Sequence, residues 1–204
     1  MRNIYLLRHA APQMPGGVRC CLGRRTDPPL SPDGEAAAAA LAAFFQEHPI
    51  TAVGASPMLR CRQTAQLVFP ALPLTILPGI AEMDCGAWEG LSFEEIRRRY
   101  PEVYARRGQD ASVSPPGGEA AAHAAARGLA ALDEFLTKTE GDVAVVAHSG
   151  IGRAMLSFIL SGSFSRMFEI PMDYLSIYQL RRDEAGFSAA LFSPAADAGK
   201  EHTI

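Results

Sequence analysis

The sequence predicts an α/β fold: a three-layer α/β/α sandwich around a central, largely parallel sheet. Three observations predict it. Two short apolar runs, Ile4-Tyr5-Leu6-Leu7 and Val143-Ala144-Val145-Val146-Ala147, show no polar alternation, as expected of strands buried on both faces. Strand-like and helix-like stretches alternate through most of the chain, the arrangement that crossover connections between parallel strands require. Both apolar runs also lead into a histidine, the first through Arg8 to His9 and the second directly to His148. Ligands of open α/β sheets sit beyond the carboxyl ends of the strands, so the fold class also predicts where chemistry would take place.

Composition narrows the function classes. At 204 residues the chain suits one well-buried domain, and no interdomain linker or internal repeat divides it, so 1–204 reads as a single domain. A formal net charge of -3 provides no global basic field for nucleic acid or an anionic membrane, so any cationic site must be local. No apolar run approaches the roughly 20 residues of a membrane span. Arg2 is followed by an apolar stretch too short for a signal peptide. Cys20, Cys21, Cys61 and Cys85 show neither metal-type spacing nor a disulfide framework, which predicts free thiols in a reducing cytoplasm.

The first run delivers Arg8-His9 at its end, a cation and an imidazole facing the crevice. From 10 to 30 the chain should be a loop, because Pro12, Pro15, Gly16, Gly17, Gly23, Pro28 and Pro29 interrupt regular structure. Leaving directly after His9, this loop is expected over the crevice, where Arg19, Arg24 and Arg25 could add charge. Ser31 is a plausible N-cap and Pro32 fits a first helical position; the helix is expected to run through the alanine tract to about His48. A small-residue strand follows at 51–55, then a helix at 58–69 stopped by Pro70. Arg60 lies in the first turn of that helix, and a first-turn side chain leans back toward the helix N-terminus, into the same layer as Arg8 and His9.

A third strand is expected at 74–77. The loop at 80–90 carries the only tryptophan, Trp88, and three carboxylates, Glu82, Asp84 and Glu89. Ser92 caps a helix at 93–99, and an irregular or helical stretch reaches Ser114. Pro115-Pro116-Gly117-Gly118-Glu119 then opens an alanine-rich helix ending near Lys138. The β-branched strand at 142–147 runs into His148-Ser149-Gly150 and a helix at 151–160. Two late strands are expected at 174–181 and 187–192, and a small, polar tail at 194–204 is expected to fray. The late strands could supply an edge for dimerisation; composition leaves monomer and homodimer both open.

Two strand-end histidines, two arginines in one layer and a carboxylate-bearing loop form a chemical set. Planar guanidinium forks suit a tetrahedral oxyanion, above all phosphate. A neutral imidazole can attack phosphorus and carry the phosphoryl group. A hydrogen bond from one ring nitrogen to a backbone carbonyl would leave the other nitrogen free to attack. A second histidine, if protonated, can hold a phosphoryl oxygen, and a carboxylic acid is needed to protonate the leaving alkoxide. Glu82, Asp84 and Glu89 are rivals for that task, and spacing alone does not rank them.

At this point a family resemblance appears. Arg8-His9, "SPMLRCRQTA", "AEMDCGAWEG", "PPGGEA" and "VVAHSG" occur in the order found in the histidine phosphatase superfamily, the phosphoglycerate-mutase-like proteins, over about residues 3–190. The resemblance implies that His9 becomes phosphorylated, that Arg8 and Arg60 bind phosphate, that His148 is the second histidine of the pocket, and that Glu82 is the proton donor. It implies no metal and no cofactor. His48, His123 and His202 match no motif and read as surface residues. The chain departs from the family pattern at Ala10, Pro12 and Pro15, where a glycine, a hydroxyl residue and an asparagine are usual, which puts substrate contacts from that loop in doubt.

The short stretch between Glu82 and His148 leaves little room for the covering segments of a mutase, which favours hydrolysis of a phosphomonoester. The length and the segment "GRRTDPPLSPDG" look similar to α-ribazole-5′-phosphate phosphatases; a phosphatase acting on sugar phosphates or other small metabolites fits as well. Mutase-type phosphoryl transfer and a non-catalytic phosphate-binding module are the alternatives. The latter predicts loss of His9 or Glu82, and both are present.

Overall fold

A computed structural model describes residues 2–184 and 186–192, apart from the side chain of Phe192. Strand β1 (Asn3–Arg8) lies at the centre of a six-stranded sheet with β2 (Ala52–Ala55), β3 (Leu74–Ile76), β4 (Val143–Ala147), β5 (Ile177–Asp183) and β6 (Gly186–Phe192), in the order β3-β2-β4-β1-β5-β6. β3, β2, β4 and β1 run parallel; β5 pairs antiparallel with β1, and β6 antiparallel with β5. The sheet is therefore largely parallel, with an antiparallel hairpin added at one edge.

Both faces are covered, which is why β1 and β4 are apolar without alternation. Ile4 and Leu6 pack into the layer of α5 (Ala121–Thr137) and α6 (Ser149–Ser161), among Ala124, Leu132, Ile151 and Leu156. Tyr5 and Leu7 face the opposite layer of α1 (Pro32–Leu41) and α2 (Leu59–Val68), with Ala38, Cys61 and Ala65. Fully burying a Leu- or Ile-sized side chain stabilises by about 1.5–3 kcal/mol, so these two clusters hold the three layers together.

Helix α1 starts as expected: the Ser31 hydroxyl accepts from Gly34 N at 3.0 Å, and Pro32 follows the cap. It ends at Leu41, not near His48. Beyond Leu41 the chain tightens to i→i+3 bonding, with Ala42 N donating to Ala39 O and Gln46 N to Ala43 O. A short 3₁₀ turn (Phe44–Gln46) then sets Phe45 against Tyr5 and Phe69, so aromatic packing takes over from helix continuation.

Helix α3 (Phe93–Arg99) has a reciprocal capping box between Ser92 and Glu95, with Arg97, Arg98 and Arg99 at its negative end. The stretch that follows is helical, α4 (Pro101–Gln109). The late strand begins at Ile177, three residues after its expected start, because Leu175 adopts φ 62° and Ser176 N closes a turn on Asp173 O. The expected tail at 194–204 and His202 lie outside the described residues.

Candidate active site

Register places the two histidines together. Arg8 pairs with Ala147 across the parallel β1–β4 ladder, and His9 N donates to Ala147 O at 3.0 Å. His9 and His148 are the next residue on each strand, and their ring centroids lie 5.1 Å apart. His9 Nδ1 is 2.7 Å from Ala10 O. A carbonyl has no proton to give, so Nδ1 carries the hydrogen and Nε2 keeps its lone pair.

Both imidazoles are shielded from water, His9 at 5% exposure and His148 at 0%. Burial, then the Arg60 guanidinium, holds the His9 pKa well below the usual histidine range; the bond to Ala10 opposes this and Arg8 adds to it. His148 is depressed likewise, by burial first and then by Arg60, His9 and Arg8. Burial and the neighbouring guanidinium groups thus favour the neutral form of both imidazoles. His148 Nε2 meets the Ser56 hydroxyl at 2.7 Å and Cys61 Sγ at 3.3 Å. Burial pushes the Cys61 thiol far up, so it acts as a packed neutral group.

Arg60 sits in the first turn of α2 and is 1% exposed, an unusual environment for a cation. Its Nη1 donates to Thr26 O at 3.0 Å and meets Asp27 Oδ1 at 3.4 Å; its Nη2 donates to Gly23 O at 3.0 Å. Arg8 Nη1 donates to Met172 O at 2.5 Å, and its guanidinium lies 4.0 Å above the Tyr174 ring. Arg8 Nε and Arg60 Nε are both buried without a hydrogen-bond partner among the described residues. Two orphan N–H donors, on the two arginines whose charges act on His9, form a local preference for an anionic acceptor.

Glu82 follows a 3₁₀ turn (Pro78–Ile80) after β3 and reaches the N-terminus of α6. Its Oε1 accepts from Met83 N and Ile151 N, both at 2.8 Å, and Oε2 accepts from Gly150 N at 2.9 Å. The rival carboxylates are occupied elsewhere. Asp84 accepts from Gly86 N and pairs with Arg24 at 3.0 Å and Arg25 at 3.3 Å. Glu89 accepts from Gly23 N and Thr26 N, bracing the loop over the site. Arg24 and Arg25, expected as possible crevice cations, are therefore spent on the carboxylates of the 80–90 loop; Arg19 alone of the three borders the cavity.

The cavity above the strand ends has a volume of about 390 Å³. Arg8, His9 and Glu82 line it, whereas Arg60 and His148 are fully buried and do not. Pro12 lines it, while Ala10 is buried with its N–H on Thr64 Oγ1, and Pro15 starts a short 3₁₀ turn away from the site. Among the described residues no group of three or more His, Cys, Asp or Glu is arranged to hold a metal ion.

Sequence reasoning missed four contributors. Arg153 borders the cavity, with Nη1 on Ser149 Oγ at 2.5 Å and Nε on Ile170 O at 2.8 Å; a lone arginine in an otherwise apolar helix was the available signal. Tyr174, expected in a strand, instead covers Arg8 and stands 5.7 Å from the His9 ring. Ser56, within the segment "SPMLRCRQTA", holds His148 Nε2 through its hydroxyl at 2.7 Å. Arg127, on α5, donates to the carbonyls of Gly79, Ala81 and Glu82, a long-range contact with no local signature.

Comparison with known proteins extends the geometry. The family description "Histidine phosphatase superfamily (branch 1)" matches residues 4–193. A "Bifunctional protein" of Mycobacterium tuberculosis is 32% identical over 179 residues, covering 86% of this chain and 49% of that protein. A 6-phosphofructo-2-kinase/fructose-2,6-bisphosphatase of Caenorhabditis elegans is 32% identical over 179 residues, 85% of this chain and 38% of that protein. The chain thus spans about half, or less, of the length of these curated relatives. Among solved structures, a mycobacterial glucosyl-3-phosphoglycerate phosphatase with VO3 superposes with a TM-score of 0.83 at 23% identity, covering 94% of this chain and 98% of that one. The alpha-ribazole phosphatase from Shigella flexneri superposes with a TM-score of 0.79 at 21% identity, covering 94% and 96%. At these identities the superpositions show a shared fold.

Proposed function

The chain belongs to the histidine phosphatase superfamily, and within it we propose a phosphomonoester hydrolase that works through a phosphohistidine at His9. The observation that carries this reading is the bond from His9 Nδ1 to Ala10 O, which leaves Nε2 unprotonated, while Arg8 and Arg60, whose charges both act on His9, keep buried Nε donors without partners. His9 Nε2 attacks phosphorus, the P–O bond to the leaving alcohol breaks, and a protonated Glu82 gives its proton to that oxygen. Water then attacks the phosphohistidine, Glu82 takes the water's proton, and the N–P bond breaks to release inorganic phosphate and restore His9. Arg8, Arg60 and His148 would meet the charge held on the phosphoryl oxygens, so the reaction requires neither metal nor cofactor.

For the substrate, we favour a small phosphorylated metabolite, with α-ribazole-5′-phosphate first among those to test. Trp88, Phe93, Tyr104 and Phe168 line the outer cavity, and aromatic walls suit a leaving group that carries a ring. The fold shared with the alpha-ribazole phosphatase of Shigella flexneri supports the same choice. The test is a screen of phosphomonoesters for released phosphate, including α-ribazole phosphate and 3-phosphoglycerate, run with and without chelator, together with acid-labile phosphoenzyme trapping. Rapid hydrolysis without a trappable phosphohistidine, or strict dependence on added magnesium, would defeat the mechanism.

A further inference from the structure

We propose that Arg127, fixed by Glu119, is a positioning residue that sets the carboxyl of Glu82, a role that rests on the hydrolase reading above. The sequence segment "PPGGEA" touches no reacting group in that mechanism, yet its Glu119 is buried. Arg127 Nε donates to Glu119 Oε1 and Nη2 to Oε2, both at 2.8 Å, a bidentate pair. The three remaining N–H groups are all directed at one short segment. Nη1 donates to Gly79 O at 2.7 Å and to Ala81 O at 2.8 Å, and Nη2 to Glu82 O at 3.2 Å. All five guanidinium donors are therefore used, two to hold Arg127 and three to hold the chain that ends in Glu82.

That segment needs external support. It follows a three-residue edge strand and holds only the single 3₁₀ turn Pro78–Ile80 before Glu82. Glu119 ties its far side as well: Glu119 N donates to Asp84 O at 2.9 Å, and Asp84 N to Glu119 Oε2 at 3.3 Å. The Glu82 backbone is thus fastened on both sides, to α5 through Arg127 and to the turn before α5 through Glu119, while its carboxyl is fastened to the start of α6. An acid must stand within a few tenths of an ångström of its productive place, and this clamp determines where its backbone begins. Burial raises the Glu119 pKa, but hydrogen bonds from Arg127 and from His123, at 2.6 Å, outweigh it and hold the carboxyl at about 2. The clamp consequently stays ionised throughout the working pH range.

A lysine supplies three donors from a point and cannot reproduce the planar fork, so Arg127→Lys tests the clamp while retaining the charge. The measurement is the single-turnover rate of phosphoenzyme formation on an alkyl phosphate and on p-nitrophenyl phosphate, for wild type, Glu82→Gln, Arg127→Lys and the double variant. Arg127→Lys should slow the alkyl phosphate by about 10–100-fold, the usual range for loss of an outer support, and slow p-nitrophenyl phosphate, whose leaving group needs no proton, far less. The double variant should be no slower than Glu82→Gln alone, because both changes remove the same contribution. Should Arg127→Lys lose its folded circular dichroism, Glu119→Gln undergoes the same measurements, with the same selective loss expected. Equal losses on both substrates, or additive losses in the double variant, overturn the positioning role. If Glu82→Gln itself shows no leaving-group selectivity, the acid role of Glu82 fails and the positioning role fails with it. Selectivity at Glu82 but not at Arg127 or Glu119 removes the positioning role alone.

Discussion

The His9 and His148 rings stand 5.1 Å apart because β1 and β4 are parallel neighbours paired in register up to Arg8 and Ala147. Each strand delivers its histidine one residue beyond the ladder, so two side chains separated by 139 positions in sequence share one polar layer. Each ring is anchored by a hydrogen bond: His9 at Nδ1 by Ala10 O, and His148 at Nε2 by the Ser56 hydroxyl. Their neutral state follows from burial beside Arg60, and a neutral imidazole is the form that attacks.

His9→Ala is expected to abolish turnover and phosphoenzyme formation while leaving the fold intact. His9 lies at the rim of the sheet, and replacing it removes a buried polar ring next to two cations. Thermal unfolding and acid-labile phosphate incorporation check this together. A folded variant that still forms phosphoenzyme would move the nucleophile elsewhere.

Stability should fall as pH drops below about 6.5. Both histidines have folded-state pKa values well below 6.5, whereas in the unfolded chain they titrate near 6.5. Below that point the unfolded state binds more protons, so unfolding becomes easier until the folded-state values are reached. Each histidine should cost roughly 1.4 kcal/mol at one pH unit below 6.5. Urea unfolding of wild type and His9→Ala at pH 7.5 and 5.5 measures it, and the variant should lose about half as much from this source. On the same grounds His9 stays neutral between pH 7.5 and 6.5, so the kcat/KM profile should show no histidine-type decline there.

Gly150→Ala should damage activity more than stability. A Cβ at this position would stand 2.7 Å from Glu82 Oε1, so the carboxyl must move while the helix backbone accepts alanine readily. The expected outcome is a loss of about 10-fold or more in kcat on an alkyl phosphate, with the unfolding midpoint nearly unchanged. Unaltered kcat would show that the acid tolerates displacement.

Inorganic phosphate should stabilise the protein through the two orphan guanidinium donors. Saturation at 100 times Kd corresponds to about 2.7 kcal/mol, and an upward shift in Tm of several degrees is expected. Arg8→Lys lacks the Nε donor and should weaken this shift without removing the positive charge. An equal shift in wild type and variant would place the anion away from Arg8.

The sequence was most legible where local rules act on consecutive residues. Unalternating apolar runs revealed the two central strands, strand ends revealed His9 and His148, and the first-turn position of Arg60 pointed it into their layer. The Ser31 and Ser92 caps appear as expected, since a cap depends on residues only a few positions apart. The expected continuation of α1 to His48 failed because Phe45 packs on Tyr5 and Phe69, residues distant in the chain.

What the sequence determined by itself was the fold class, the order of the elements and the residue types gathered at the strand ends. These follow from periodicity and from the geometry of a parallel sheet. Only the tertiary structure decided which carboxylate faces the cavity, since Asp84 and Glu89 are distinguished from Glu82 solely by the loop that captures them. It likewise decided that Arg24 and Arg25 brace a loop, that His148 meets the Ser56 hydroxyl, and that Arg127 grips the segment leading to Glu82. Each of these is a long-range hydrogen bond or ion pair. Such contacts form between groups that close chain packing happens to bring within about 3 Å, and no local pattern of residues records that distance.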